Sequence, residues 1–143
     1  MSNPIESYAV IGDLHTVALV SKLGSIDWLC LPHFDDEACF AALLGDEGNG
    51  HWTIAPTGNI EAVSRRYRPE TLVLETEIAC DQGIIRITDF MPIRESTDHH
   101  LPEIIRIVEG LEGDVEISSE LCLRFDYGRS KPYVRQLKEG IHA

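Results

Sequence analysis

Leu72 to Phe90 reads LVLETEIACDQGIIRITDF, and its alternation is that of paired strands, not of a helix. Leu72, Leu74, Thr76 and Ile78 fall on one side of an extended chain, with Val73, Glu75 and Glu77 between them, because successive side chains of a strand point to opposite faces. Asp81-Gln82-Gly83 has turn chemistry, and the run Ile84 to Phe90 resumes directly after it. The stretch predicts a β-hairpin.

The same pattern spreads in both directions. Val17 to Val20 and Ile26 to Leu31 flank a Lys22-Leu23-Gly24 turn and predict a second hairpin. Val115, Ile117, Ser119, Leu121, Leu123 and Phe125 alternate with Glu116, Ser118, Glu120, Cys122 and Arg124. This predicts a long half-buried strand, joined to Ile104–Val108 through a turn at Gly110 to Gly113. Only Glu37 to Leu44 reads as helical, with Ala38, Ala41 and Ala42 favouring that state and Gly45 placed to stop it. Pro32 would end the preceding strand, Asp35 or Asp36 would cap the helix, and Phe34, Phe40, Leu43 and Leu44 would pack inward. The expected architecture is all-β and mainly antiparallel, a β-sandwich with one short helix, forming a single domain over residues 1–143.

Composition narrows the function classes. Twelve basic residues against twenty-four acidic ones leave a net charge of −12, which repels phosphate backbones and anionic lipids. Neither nucleic acid nor membrane is an expected partner. The one basic cluster, Arg65-Arg66-Tyr67-Arg68, is too short for a groove-length footprint and reads as a solvated strand end. No apolar run approaches the roughly 20 residues that span a bilayer. The opening MSNPIESY has neither a basic nor an apolar leader region, which makes the cytoplasm the default location. Cys30, Cys39, Cys80 and Cys122 lie far apart with no metal or redox spacing and are expected as reduced thiols that pack as small hydrophobes.

Chemistry-bearing residues are many, but they are scattered. Asp13, Asp27, Asp35, Asp36, Glu37, Asp89 and Asp126 could in principle supply an acid and a base, yet their spacing singles out no converging pair. A solvated or capping role is the expectation for each. Asp13, His15, His33, Asp35, His99 and His100 are metal-capable but show no ligand spacing; neither a metal nor another cofactor is expected. Trp28 and Trp52 could stack on a sugar, but both lie in strand-like runs, where core packing is favoured. Arg94 to His100, RESTDHH, reads as an exposed loop.

Three segments taken together resemble one family. They are YAVIGDLHTVALVSKLGSIDWLCLPHFDDEACFAALLG from Tyr8, RRYRPETLVLETEIACDQGIIRITDFMP from Arg65, and IIRIVEGLEGDVEISSELCLRFDYGRSKPYV from Ile104. In order and across nearly the whole chain, they resemble the N-terminal domain of bacterial and archaeal glucoamylase-like and trehalase-like enzymes of glycoside hydrolase family fifteen. The resemblance implies a β-sandwich that packs on a larger toroid of paired helices, the toroid holding both carboxylates of an inverting hydrolysis. By that likeness the chain is a fragment with no catalytic residue of its own, shorter than the family's sandwich. Its partner would be the helical catalytic domain, and the substrate an α-glucan or trehalose. Where the family commonly has PRFDS, this chain has Pro32-His33-Phe34-Asp35-Asp36. His33, Phe34, Asp35 and Asp36 are therefore the candidate substrate or domain contacts, with His33 offering fewer donors and a pH-dependent charge in place of arginine. The competing reading is a stand-alone carbohydrate-binding or structural interaction domain without catalysis. A shortened sandwich also leaves strand edges unpaired, which predicts a homo-oligomer.

Overall fold

The computed structural model describes residues 3–95 and 101–142. Among them, twelve strands run in the order β1 (Tyr8–Gly12), β2 (Val17–Ser21), β3 (Ser25–Cys30), β4 (Ala38–Phe40), β5 (His51–Pro56), β6 (Ile60–Tyr67), β7 (Leu74–Cys80), β8 (Gly83–Phe90), β9 (Ile105–Gly113), β10 (Ile117–Cys122), β11 (Arg135–Leu137) and β12 (Gly140–His142). One sheet has the order β1-β2-β3-β5-β10, with β4 also paired to β3, and the other is the meander β6-β7-β8-β9. All their pairings are antiparallel. A separate hairpin, β11–β12, follows.

The hairpin expected at Leu72 to Phe90 forms as β7–β8, in register from Leu74↔Asp89 to Cys80↔Gly83. Leu74, Thr76, Ile78 and Cys80 are buried, whereas Leu72 precedes the strand and is exposed. The β2–β3 hairpin also forms, with Val20 opposite Ile26. Between the sheets, Ile11, Val20, Ile26, Leu29 and Phe40 from the first pack with Leu74 and Met91 from the β7–β8 side. Ile54 packs with Ile78, Ile85 and Ile87. This shared core makes the fold an all-β sandwich.

Polar side chains also cross from sheet to sheet. The Tyr67 hydroxyl on β6 accepts from the Val10 N–H and donates to its carbonyl, both at 2.8 Å, filling a strand partner's place on the free edge of β1. Arg65 donates to the Val20 carbonyl. Deeper in, Arg106 on β9 donates to both Asp89 oxygens, to the Trp52 carbonyl and to the Gly24 carbonyl. Its guanidinium lies 5.2 Å from the centre of the Trp52 ring.

Three sequence expectations are corrected. No helix forms at Glu37 to Leu44. Ala38–Phe40 is a short strand on β3, and Ala42–Leu44 is a single 3-10 turn. Ala38, Cys39, Phe40 and Ala41 are all buried, so the segment has no solvent-facing stripe, and pairing to β3 overrides alanine's weak helical preference. Gly110 to Gly113 is not a turn. β9 continues through it beside β8, and β10 belongs to the other sheet, against β5. Gly113 serves close approach, since a Cβ there would lie 2.3 Å from the Gln82 carbonyl oxygen. Finally, the strand expected from Val115 to Phe125 is shorter and more exposed than its alternation implies: Ile117, Ser119, Leu121 and Phe125 face solvent, and only Val115 and Leu123 are half-buried.

Candidate functional site

Three loops meet at one end of the sandwich: residues 13–16 between β1 and β2, residues 31–37 between β3 and β4, and residues 91–95 after β8. Their junction is Asp13, which is 0% exposed. Its carboxylate accepts from the His15 and Thr16 backbone N–H groups, each at 2.9 Å, and from Arg94 Nε at 2.5 Å. Arg94 Nη2 donates to the Pro32 carbonyl at 2.7 Å, and the Arg94 N–H donates to the Asp13 carbonyl at 3.2 Å. His15 Nε2 lies 3.0 Å from the Arg94 carbonyl, and the Phe34 N–H donates to the His15 carbonyl. One buried ion pair thus ties all three loops.

Burial pushes the Asp13 carboxyl up, but the hydrogen bond from Arg94, the two backbone donors and the guanidinium charge outweigh it, and the group is held below its ordinary value. An ionised carboxylate with three donors is a structural anchor, satisfied as buried charge must be.

The four candidate contacts lie on the outer side of this junction. His33 and Asp36 close a tight turn: Asp36 Oδ2 accepts from the His33 N–H at 2.9 Å and lies 3.0 Å from His33 Nδ1, and the Asp36 N–H donates to the His33 carbonyl. The His33 ring meets His15 edge-on, with centroids 5.9 Å apart. Phe34 is 60% exposed and Leu44 69%, which corrects the expectation that both pack inward, and Asp35 is exposed beside Phe34. Without a helix to cap, Asp36 satisfies the His33 turn instead. Leu14 and Ile93, on the neighbouring loops, are 71% and 68% exposed. The result is a rim of apolar tips on a rigid polar base.

Other sequence candidates are drawn into the fold. Asp13, Asp27 and Asp89 are buried, correcting their expected solvated or capping roles. Asp27 accepts from Tyr8 at 2.7 Å and from Ser25, and burial together with Asp27 pushes the Tyr8 hydroxyl up to about 12. Trp52 and Trp28 pack against the core clusters, as expected. Trp28 also lies 6.4 Å from Tyr127, ring to ring. Cys30, Cys39 and Cys80 are buried and free, and burial pushes the Cys39 thiol up to about 12, far from thiolate reactivity. Among the described residues no three His, Cys, Asp or Glu side chains gather as a metal site, and no helix is long and apolar enough to cross a membrane. His99, His100 and most of the loop expected at Arg94 to His100 lie outside the described residues. Arg94 itself is no loop-surface residue.

Sequence reasoning missed the Asp13–Arg94 junction because its partners are 81 residues apart. The available signal was local: an aspartate two and three residues before the N–H groups of His15 and Thr16 is the pattern of a side-chain turn.

The whole chain, residues 1–143, matches the family model described as "Trehalase-like, N-terminal". A trehalase of Thermoplasma volcanium is 35% identical over 139 residues, which is 96% of this chain and 22% of that protein. A trehalase of Mycolicibacterium smegmatis is 32% identical over 141 residues, covering 88% of this chain and 21% of the relative. "Trehalase 2" of Sulfolobus acidocaldarius is 32% identical over 135 residues, 94% of this chain and 21% of the relative. The chain thus spans about a fifth of the length of these curated relatives. No solved structure matches it.

Proposed function

The chain belongs to the trehalase-like N-terminal domain family, and on that premise we propose that it is the non-catalytic N-terminal β-sandwich domain of a longer glycoside hydrolase acting on α-glucosidic bonds. The longer enzyme would be of the glucoamylase and trehalase type in glycoside hydrolase family fifteen, with trehalose the favoured substrate because the relatives above are named trehalases. The domain supports a helical catalytic partner in the same polypeptide and presents His33, Phe34, Asp35 and Asp36 toward it or toward the substrate cleft.

The observation that carries this reading is the three-loop junction. An ion pair with no solvent access to Asp13 holds a turn whose own side chains face outward, an arrangement suited to presenting a surface. The buried carboxylates are engaged by Arg94, Tyr8, Ser25, Arg106, Arg66 and Arg68, so none of them is a free acid or base for hydrolysis, which needs two carboxyls about 6.5–9.5 Å apart across the sugar when it inverts. Four free cysteines, three of them buried, fit a reducing cytoplasm as the proposed location.

The test uses the longer protein. His33→Ala should lower its kcat/KM for trehalose by about tenfold or more, equal to about 1.4 kcal/mol of lost interaction, while leaving the melting temperature of the 1–143 chain unchanged. Purified 1–143 should release no glucose from trehalose or maltooligosaccharides. Glucose release that persists through purification and is abolished by replacing one of its acids would overturn the proposal.

A further inference from the structure

Beside the junction runs a groove of about 770 Å³, bounded by the end of β1, the Tyr67–Val73 connection and the end of β8, with Leu14, Tyr67, Pro69, Leu72, Met91 and Ile93 in its lining. Resting on the reading above, we propose that this groove seats apolar side chains from the polypeptide that completes the longer protein, and that it is a principal docking surface between this sandwich and the remaining four-fifths.

Two features set the groove apart from ordinary surface. Leu72, at 46% exposed, joins Leu14 and Ile93 in holding large aliphatic groups toward water. Isolated exposed leucines are common, but three aliphatic side chains bordering one concavity make a patch of the kind that marks interaction. The backbone adds to this: Leu14 has φ 76° and Glu70 has φ 60°, a left-handed conformation that is strained for a residue with a Cβ. Glycine or asparagine would fill such positions with less strain and no exposed aliphatic group. At Leu14 the strained backbone is held by Asp13, whose carboxylate bonds the next two N–H groups.

The groove is also braced against collapse. The Tyr67 hydroxyl is committed to Val10, Glu75 receives Arg66 and Arg68 at 2.8 Å each, and the Asp13–Arg94 pair ties together the loops that carry Leu14 and Ile93. A preformed apolar concavity spends little ordering energy on binding.

The occupant follows from chemistry and from length. Sugars need several convergent polar groups, and of the polar side chains in the lining Tyr67 is bonded to Val10, Arg68 to Glu75 and Thr71 to the Arg68 carbonyl. A separate protein or a second copy held through this groove alone would fall well short of the roughly 800 Å² per partner of a stable interface. A tethered segment needs far less area, because its effective concentration is on the order of millimolar. Relatives place this region in polypeptides of which it is only 22%.

The test is side-chain accessibility to a maleimide. Ile93→Cys is made in the 1–143 chain and in the longer polypeptide, with His33→Cys as a parallel probe. Labelling at position 93 is expected to be fast in 1–143, independent of its concentration, and slower by about tenfold or more in the longer protein, the protection given by a seated segment that opens rarely. Equal rates in the two proteins overturn the groove as a docking surface. If position 33 alone is protected, the groove inference fails and the domain reading stands; if neither is protected, or if the reading frame encodes no longer protein, both fail. Protection that grows with the concentration of 1–143 alone would identify a second copy as occupant and would also overturn the proposal. Leu72→Asp offers a second check. Being on an exposed position, it should leave 1–143 folded yet speed the labelling at position 93 in the longer protein back toward the isolated rate.

Discussion

At the scale of single residues, two buried carboxylates of similar setting respond in opposite directions. Asp13 is held below its ordinary value, so its folded-state pKa lies under the unfolded value of about 3.9. The stability it supplies is complete above that unfolded value and is lost as pH falls through the folded one. Asp13→Asn should therefore lower the melting temperature at neutral pH, and the gap to the parent should narrow as melts are recorded below about pH 4. A constant gap across that range would show that Asp13 acts by shape rather than charge. At Asp89 burial pushes the carboxyl up, against the hydrogen bonds and charge of Arg106. Its partner is more exacting than the charge count suggests, since one guanidinium also satisfies two carbonyls of the opposite sheet. Arg106→Met would leave Asp89 buried without its cation, and such losses cost about 3–5 kcal/mol. Urea unfolding that showed a cost below about 1 kcal/mol would remove the clamp from the account.

At the scale of elements, the glycines of the turns and strands distinguish close approach from mere flexibility. Gly24 closes the β2–β3 turn with φ 83°, and a Cβ there would lie 2.5 Å from the Ile54 carbonyl oxygen. Gly110 lies within β9, and a Cβ there would meet nothing within 4 Å. Alanine at position 24 should destabilise by more than about 1 kcal/mol, whereas alanine at position 110 should be neutral or stabilise by up to about 1 kcal/mol through the unfolded state. Chemical denaturation of the two variants checks the contrast, and equal effects would refute it. The same elements explain why the hairpins of Val17–Leu31 and Leu72–Phe90 were legible from spacing alone. Their partners are adjacent in sequence, so turn chemistry and alternation specify the pairing. β10 was misplaced because its partner, β5, is separated from it by an entire second sheet.

At the scale of the molecule, the sandwich is stitched on one side and open on the other. Tyr67 and Arg65 tie the β6 edge to β1 and β2, while β9 and β10 are the last strands of their sheets among the described residues and expose Ile107, Leu111, Ile117 and Leu121. Such edges pair with other chains. The 1–143 chain is expected to form dimers or larger species at high concentration, and because each copy carries a net charge of −12, salt should promote the association by screening. Multi-angle light scattering would check this, and a monomer at high protein and salt concentration would refute it. Replacing Leu121 with Lys, on the exposed face of the β10 edge, should weaken the association without disturbing the core.

The sequence by itself determined the all-β class, two of the hairpins, the packing of the tryptophans and the family likeness, because each is written in neighbouring residues or in ordered motifs. Tertiary structure alone decided that Ala38–Phe40 is a strand, that Gly110 to Gly113 continues one, that Phe34 points outward, and that Asp13, Asp27 and Asp89 are buried partners. The reason is physical. Alternation and turn propensity report on interactions within a few residues, whereas the charge of the buried Asp13 carboxylate is paired by Arg94, 81 residues away, which the fold alone brings within reach.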